Sequence, residues 1–547
     1  MGKLRQAFCN QLYRVQPMHP TLGSLTFRRY SYTSLTRSEM AKKQPDAVKY
    51  KGYVPAEGAK IDRVKATVDP KEFHKRYIAK RQPVIIEGLI QDEDFKAAKW
   101  TDLGYLKETA GSASVKIEPI DPDVKTFGTA AEKLKMPFSE FIDKLTSTPD
   151  KYYLTTQYDE DGEPSVLPPP MDHLATDFPL HPKITGNLVL QQTNLWIGNS
   201  SEGTSSGLHH DFHDNIYCLL RGKKRFVLYP PSAHPSMYTY GELDTVHQNG
   251  LISYTNRPSR ADGLTEREAA QEKVDALEER WHKLEEGADE EAIAAAEEAF
   301  EDAMGELAML GDEDDEEDLE LGDGGDDFEE SESDGDWETL GSKAAKPNDV
   351  HEEESSDEED GPTFGEFNGD DDHDSEEEEG LGFDIPEDED PVSFSTIPVS
   401  YLHNHLDLPT ISKAPKGNVK DFPLLKTANA LVGHLEEGEM LYLPASWFHE
   451  VTSSSSKNGT VHMAFNYWFH PPDGSEFKHP YNDRSIWERK LRAVEQKAAD
   501  IKARVAGKKR KKEKAKAKRK RKQERDAPLK DQKRAKLDGK KTKRNQA

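Results

Sequence analysis

The sequence predicts a mainly β fold with flanking α-helices, a squashed antiparallel barrel whose chain is interrupted by a long polar insert. Three observations predict it. Short apolar or alternating runs recur at 187–192, 215–220, 224–229 and 461–469, with the length of strands rather than helices. A capped helix leads directly into Gln82-Pro83-Val-Ile-Ile-Glu-Gly88, a helix-to-strand entry. Of 547 residues only 34% are hydrophobic and 32% are charged, too polar for one packed globule throughout.

Taken in chain order, the first 38 residues carry six Lys and Arg and no acid, the composition of a mitochondrial presequence. Met40-Ala-Lys-Lys could equally be the true start. Residues 1–59 are read as a disordered extension. A first part of the core then runs over 60–260. Its helix opens at Asp69-Pro70-Lys71-Glu72, with an N-cap, a proline in the first turn and an acid at the third position. Phe73 and Tyr77 share its buried face. The strand at Asn187 to Gln192 and Trp196-Ile197-Gly198 lead towards His209-His210-Asp211.

In a strand, residues i and i+2 point to one side, so His209 and Asp211 can grip one ion while His210 faces away. One imidazole and one carboxylate are two thirds of a facial triad, and two His plus one carboxylate suits non-haem Fe(II) oxygenases. The third ligand must come from elsewhere. His405-Leu406-Asp407 repeats the spacing but lacks the sequence context of Asp211. After Asp211 an apolar run from Asn215 to Leu220, an Arg221-Gly222 turn signal and an alternating run from Lys224 to Tyr229 predict a β-hairpin. Lys224 shares its face with Phe226 and Leu228, and a buried ammonium needs an anionic partner. A dicarboxylate would supply one. His210 and His213 read as surface or pocket-rim residues, and Lys223 as solvated.

Residues 261–311 form a helical insert. Thr265-Glu-Arg-Glu268 is a capping box, with Val274, Leu277, Trp281 and Leu284 at helical spacing, then Ile293, Ala296, Phe300, Met304 and Leu307 after Gly287. The two helices are expected to pack on each other or on the barrel. From 312 to 390 there are 39 acidic residues against two lysines, a net charge of −37. Residues 312–392 are therefore read as an acidic disordered insert, which must leave and re-enter the barrel at neighbouring points.

The core resumes over 393–480, with Leu443-Pro-Ala-Ser-Trp-Phe-His449 and the apolar run from Val461 to Phe469. In that run His462 and Trp468 fit a core strand whose polar groups are satisfied by neighbours. Residues 481–506 continue as an amphipathic helix through Trp487, Leu491, Val494, Ala498, Ile501 and Val505. The tail, 507–547, is basic and disordered; from 501 onward 23 Lys and Arg face five acids. Its dense run from Lys508 to Lys522 reads as a nuclear import signal, with weak, sequence-blind nucleic-acid contact as a second use. Two cysteines, Cys9 and Cys218, cannot form a disulfide framework and point to a reducing compartment. No run has the length of a transmembrane helix, so no membrane partner is expected.

The His-x-Asp, the Asn six residues after the His, the Gly-x-Lys turn, the Pro230-Pro231 pair, Trp447-Phe-His449 and Asn466-Tyr-Trp468 occur together and in order. They resemble the Jumonji C (JmjC) family, in particular its cupin-like hydroxylase branch, over roughly 60–260 and 395–480. The resemblance implies a double-stranded β-helix (jelly-roll, cupin) core. It implies that His209, Asp211 and His449 bind Fe(II), and that Lys224 binds the distal carboxylate of 2-oxoglutarate. Ser206 stands where the family often places a hydroxyl on that carboxylate. Asn215 and Asn466 match positions lining the co-substrate pocket, Trp468 an aromatic wall, and Tyr153 a co-substrate tyrosine.

The activity so implied is O2-dependent oxidation of a protein or RNA-associated substrate, coupled to conversion of 2-oxoglutarate to succinate. No cysteine and histidine spacing of a zinc reader accompanies the barrel, which leans towards hydroxylation over histone lysine demethylation. A different class of reading is a non-catalytic scaffold for chromatin or ribosomes, its acidic insert binding histones or ribosomal proteins. The intact triad and Lys224 argue against that reading.

Overall fold

The computed structural model describes residues 49–310 and 391–496, apart from short stretches at 121–122, 124, 128–131, 159–164, 285–288, 412, 414–420 and 457–460, with scattered residues between 499 and 521. The acidic insert and most of the basic tail lie outside the described residues, as do Cys9, Ala498, Ile501 and Val505. All of the described strands and helices belong to the unit that begins at Lys49.

The described chain begins inside the expected extension. The backbone of Lys49 and Lys51 bonds to Val246 and Gln248, and Tyr53 stacks on Trp447 at 6.3 Å, so apolar anchors fix residues 49–59 to the core. Helix α1 (Pro70–Phe73) is capped as its sequence dictates: Asp69 accepts from the N–H groups of Lys71 and Glu72. A wider turn of helix at His74–Ile78 follows, and Phe73 and Tyr77 are both buried.

Two sheets face one another. The strands are β1 (Asp62–Lys65), β2 (Val84–Glu87), β3 (Ser114–Pro119), β4 (Leu134–Pro137), β5 (Tyr152–Leu154), β6 (Leu190–Gly198), β7 (Thr204–Ser205), β8 (Asp214–Arg221), β9 (Lys223–Tyr229), β10 (Leu243–Val246), β11 (Ile252–Tyr254), β12 (Leu431–Leu435), β13 (Glu439–Leu443), β14 (Phe448–Ser454) and β15 (His462–Phe469). The large sheet runs β1-β2-β13-β8-β15-β6-β5-β3-β4, the small one β12-β9-β14-β7, and β10 pairs with β11 alone. The expected strand at 187–192 begins three residues later and absorbs Trp196-Ile197-Gly198.

The expected hairpin is not formed. β8 pairs with β13 and β15, whereas β9 pairs with β12 and β14, so the chain crosses at Gly222 from one sheet to the other. Gly222 makes the corner at φ +92°. The reason is burial: β8 is buried from Asp214 to Leu220, as suits a central strand with packing on both faces rather than one arm of a half-solvated hairpin. Alternation along β15 divides the core. Phe465, Tyr467 and Phe469 pack with Trp100 and Phe178 on the outer face, while Ala464 faces Tyr217, Phe226 and Trp447 between the sheets.

Helix α2 (Leu103–Ala110) and helix α3 (Phe138–Ser147) cover the outer face; α4 (Met171–Leu174) adds a single turn. The insert helices α5 (Glu266–Leu284) and α6 (Glu290–Met309) do form a hairpin, with Trp281 stacked on Phe300 at 5.7 Å. Thr265 and Glu268 exchange both capping-box hydrogen bonds, at 2.7 and 3.0 Å. The start of α5 also docks on the core: Leu264 and Ala269 pack with Trp487, and Arg489 of the helix at 484–496 bonds to Glu272 and Asp275. Among the described residues no helix is long and apolar enough to cross a membrane. The chain re-enters after the insert beside the metal pair, where Ser395 bonds to Leu208 and Tyr240 to Phe394. Helix α7 (Val399–His405) follows.

Candidate metal centre

His209, Asp211 and His449 converge between the sheets. Their donor atoms all lie within 4.8 Å of one another, and this is the one such cluster among the described residues. His449 comes from β14. His209 and Asp211 do not stand on a regular strand, as the period-2 argument supposed; they sit in the segment between β7 and β8. His209 is nevertheless held like a strand residue, because its backbone exchanges hydrogen bonds of 3.1 and 2.7 Å with that of His449. That bridge helps to bring the two halves of the site together.

The protonation of both rings is set by the backbone. Nδ1 of His209 lies 3.1 Å from the carbonyl of Gly207, and Nδ1 of His449 lies 2.9 Å from that of Trp447. A carbonyl only accepts, so each Nδ1 carries the proton and each Nε2 is left with its lone pair. Those Nε2 atoms stand 3.9 and 3.6 Å from the Asp211 carboxylate. Ligands about 2.1 Å from a shared ion lie at most about 4.2 Å apart, and both His–Asp separations fall inside that limit. Burial, together with the adjacent His449, pushes the His209 imidazole down to about 3, which keeps it neutral and able to ligate. Phe394, four residues into the resumed chain, stacks on His209 at 4.8 Å. The decoy His405 and Asp407 lie at the end of α7 and join no such cluster among the described residues.

Lys224, on β9, is buried against β14, the strand that carries His449. It is 2% exposed, and its Nζ donates to Tyr153 Oη at 2.9 Å and to Ser453 Oγ. No carboxylate lies within ion-pair distance of it among the described residues. Burial lowers this ammonium to about 7. Tyr153 is itself buried and stacked on Phe127 at 3.9 Å, and burial pushes its hydroxyl well above the ordinary tyrosine range. Ser453 faces Lys224 across the β9–β14 ladder, in register with it, and four residues back along the same ladder His449 faces Leu228. β14 thus carries His449 and Ser453 on one face.

The remaining expected residues divide. Asn215 Oδ1 accepts from Asn466 Nδ2 at 3.0 Å, and Asn466 Oδ1 accepts from Trp196 Nε1 at 2.9 Å, a buried chain across the three strands β8, β15 and β6. Ser206 is committed locally: its hydroxyl donates to the Gly207 carbonyl and accepts from the Val451 N–H. The Trp468 ring lies tilted against that of His213 at 4.6 Å, and its Nε1 has no hydrogen-bond partner among the described residues. His213 is half-buried, and His210 departs from the surface expectation: it is 1% exposed, bonded to the Tyr254 hydroxyl at 2.7 Å and enclosed by Phe212 and Phe448. The imidazole that faces away from the metal faces a second aromatic cluster instead of solvent.

Sequence reasoning missed four contributors. Arg81 and Asp214 make a buried ion pair at the mouth of β8, joined by the Tyr442 hydroxyl at 2.7 Å. Ser453 and His462 line the Lys224 end. The last two were within reach of strand periodicity, since Ser453 shares a face with His449, and His462 with Asn466. His462 also departs from the core reading: neither of its ring nitrogens, nor Trp468 Nε1, is satisfied by a neighbour among the described residues.

Comparison with known proteins agrees with this geometry. Residues 70–475 match the family model described as a cupin-like domain. The chain is similar to JmjC domain-containing protein 4 of Schizosaccharomyces pombe, 40% identical over 473 residues, or 81% of this chain and 92% of that protein. It is also similar to the human bifunctional peptidase and (3S)-lysyl hydroxylase JMJD7, 28% identical over 175 residues, which is 30% of this chain and 53% of that one. Lysine-specific demethylase JMJ31 of Arabidopsis thaliana is 30% identical over 195 residues, 28% of this chain and 34% of that one.

Proposed function

Because the chain belongs to the JmjC family, in its cupin-like branch, whose members are typically Fe(II)- and 2-oxoglutarate-dependent oxygenases, we propose that it hydroxylates a protein substrate by that chemistry. One observation carries the proposal: a neutral His, a second His and a carboxylate cluster, and the strand that supplies His449 also supplies Ser453, which bonds a buried lysine with no carboxylate within ion-pair distance among the described residues. When bound, iron and 2-oxoglutarate supply an oxidation in which O2 and the co-substrate yield succinate, CO2 and a hydroxyl group on the former C–H carbon.

The chain's own residues would do the following. His209 and His449 present Nε2, and Asp211 a carboxylate oxygen, to the metal. The carbonyls of Gly207 and Trp447 hold both rings in that tautomer. Lys224, with Tyr153 and Ser453, neutralises the far end of the dicarboxylate. The Lys224 end is fully buried, whereas the Asp211 side chain is 21% exposed, so the small acid occupies the depth and a macromolecule reaches only the outer rim. His213 and Trp468 flank that rim.

Lysine is the first side chain to test, since the names of the human and Arabidopsis relatives both specify it. Hydroxylation is preferred to demethylation because no zinc-reader spacing accompanies the barrel. Basic proteins are the natural class of partner for the 39 acids at 312–390. The run at 508–522 supports a nuclear location, and the amino-terminal 38 residues support the mitochondrial alternative; tagging each end separately decides between them. The central experiment measures succinate release and a +16 Da product on basic protein substrates, with wild type and with His209→Ala. Equal turnover in both overturns the assignment.

A further inference from the structure

His462 stands on β15 with its ring between the sheets, and it is fully buried. Neither ring nitrogen has a hydrogen-bond partner among the described residues. Leaving a buried polar group unpaired is costly, and a leucine would fill similar space without that cost. The surroundings are shaped to keep the imidazole. A Cβ added to Gly198, its register partner on β6, would come within 2.5 Å of His462 Nε2, and one added to Gly222 would come within 2.6 Å of His462 Cβ. Bare backbone on both flanks gives the ring its place.

What the ring meets is the anion end of the pocket. The Tyr153 ring lies 5.5 Å away, and Tyr153 Oη is bonded to Lys224. Burial first, and the Lys224 charge second, hold His462 well below the ordinary histidine range. The ring is therefore neutral, carries one N–H, and does not repel the lysine. Two hydroxyls and an imidazole N–H thus gather around an ammonium that has no carboxylate within ion-pair distance among the described residues.

We propose that His462 is a co-substrate-binding residue, a fourth donor beside Lys224, Tyr153 and Ser453 to the distal carboxylate of the dicarboxylate, and that it sharpens the preference for an acid bearing that second carboxylate. The inference rests on the 2-oxoglutarate reading above. Its test compares direct binding of 2-oxoglutarate and of 2-oxovalerate, the same chain without the far carboxylate, to the full-length Mn(II)-loaded protein under anaerobic conditions. Wild type, His462→Leu and His462→Gln are titrated calorimetrically. His462→Leu is expected to weaken 2-oxoglutarate roughly 10- to 100-fold and leave 2-oxovalerate unchanged, with His462→Gln, which keeps an N–H, recovering most of the loss. If His462→Leu leaves both ligands unaffected, or if the variants weaken both equally, His462 is a core residue and the proposal falls. A wild type that binds no 2-oxoglutarate at all would instead overturn the co-substrate reading itself, and this inference with it.

Discussion

The carboxylate of Asp214, three residues beyond Asp211, accepts a hydrogen bond of 3.0 Å from the backbone N–H of Ala445, four residues before His449. The same carboxylate holds Arg81, which is 4% exposed and also bonds to the Asn249 carbonyl. A second tie runs parallel, since Ser446 N–H donates to the Asp211 carbonyl at 2.7 Å. The segment bearing His209 and Asp211 and the segment bearing His449 are therefore fastened to each other by the protein alone.

Asp214→Asn tests that fastening. It leaves the Arg81 charge buried without its partner, at a cost of about 3–5 kcal/mol, whereas replacing the pair together by Arg81→Met and Asp214→Leu recovers most of the stability. Asp214→Asn keeps an amide oxygen that can accept from the Ala445 N–H, whereas Asp214→Leu removes the acceptor. Urea denaturation should find the single variant the less stable, while iron titration should find binding weakened more in the double variant, which has lost the tie to the His449 segment.

Metal loading should stabilise the protein through the triad alone. With free Fe(II) or Co(II) at 100 times its dissociation constant, an anaerobic melt should show about 2.7 kcal/mol of added stability in wild type. His449→Ala removes the Nε2 donor and should show no such increment. An equal increment in the variant would mean that the ion binds elsewhere.

Lys224 gives the site a pH dependence with a definite sign. Its ammonium is lowered from 10.5 to about 7 by burial, so the unfolded chain keeps a proton that the folded, ligand-free protein has released between those values. Stability of the ligand-free protein should therefore rise with pH from about 7 to 10.5. Dicarboxylate affinity should move the other way, since the ligand needs the charged form, weakening by up to about tenfold per unit above pH 7. Lys224→Met should abolish 2-oxoglutarate binding yet raise the melting temperature by a few degrees. Binding isotherms and melts across pH 6–9 check both halves.

Gly222→Ala should damage the corner between the sheets. Its φ of +92° disfavours any side chain, and an added Cβ would lie 2.7 Å from the Ser454 carbonyl. The cost is expected to be at least about 1–3 kcal/mol, with loss of co-substrate affinity because His462 is the other group in the way. Denaturation and calorimetry together report it; an unchanged midpoint would show that the corner relaxes freely.

The site was legible in the sequence where one local pattern carried one meaning. Asp69 and Thr265 cap their helices as spacing dictates, His209, Asp211 and His449 cluster, and Lys224 bonds to Tyr153. What local pattern could not carry was partnership across the chain. The runs 215–220 and 224–229 look like a hairpin because a tight Gly turn joins them, and only the later strands, absent from that window, draw them into separate sheets. Arg81 lies 133 positions from Asp214, and a lone arginine after a helix has no periodicity to betray it. His210 was misplaced because facing away from a metal was equated with facing water.

The strand order also governs how the molecule can be made. β8 has β13 and β15 as neighbours and β9 has β12 and β14, so neither has a partner from the amino-terminal half. During synthesis, two apolar strands with unpaired edges emerge and then wait while some two hundred further residues are added. Such edges invite pairing with other chains. Any truncation before β15 should be insoluble rather than merely inactive, and folding must be slow, governed by late, long-range closure. The helices and acids that intervene keep that waiting chain charged, and every nascent copy depends on the last strands for its first metal-competent state.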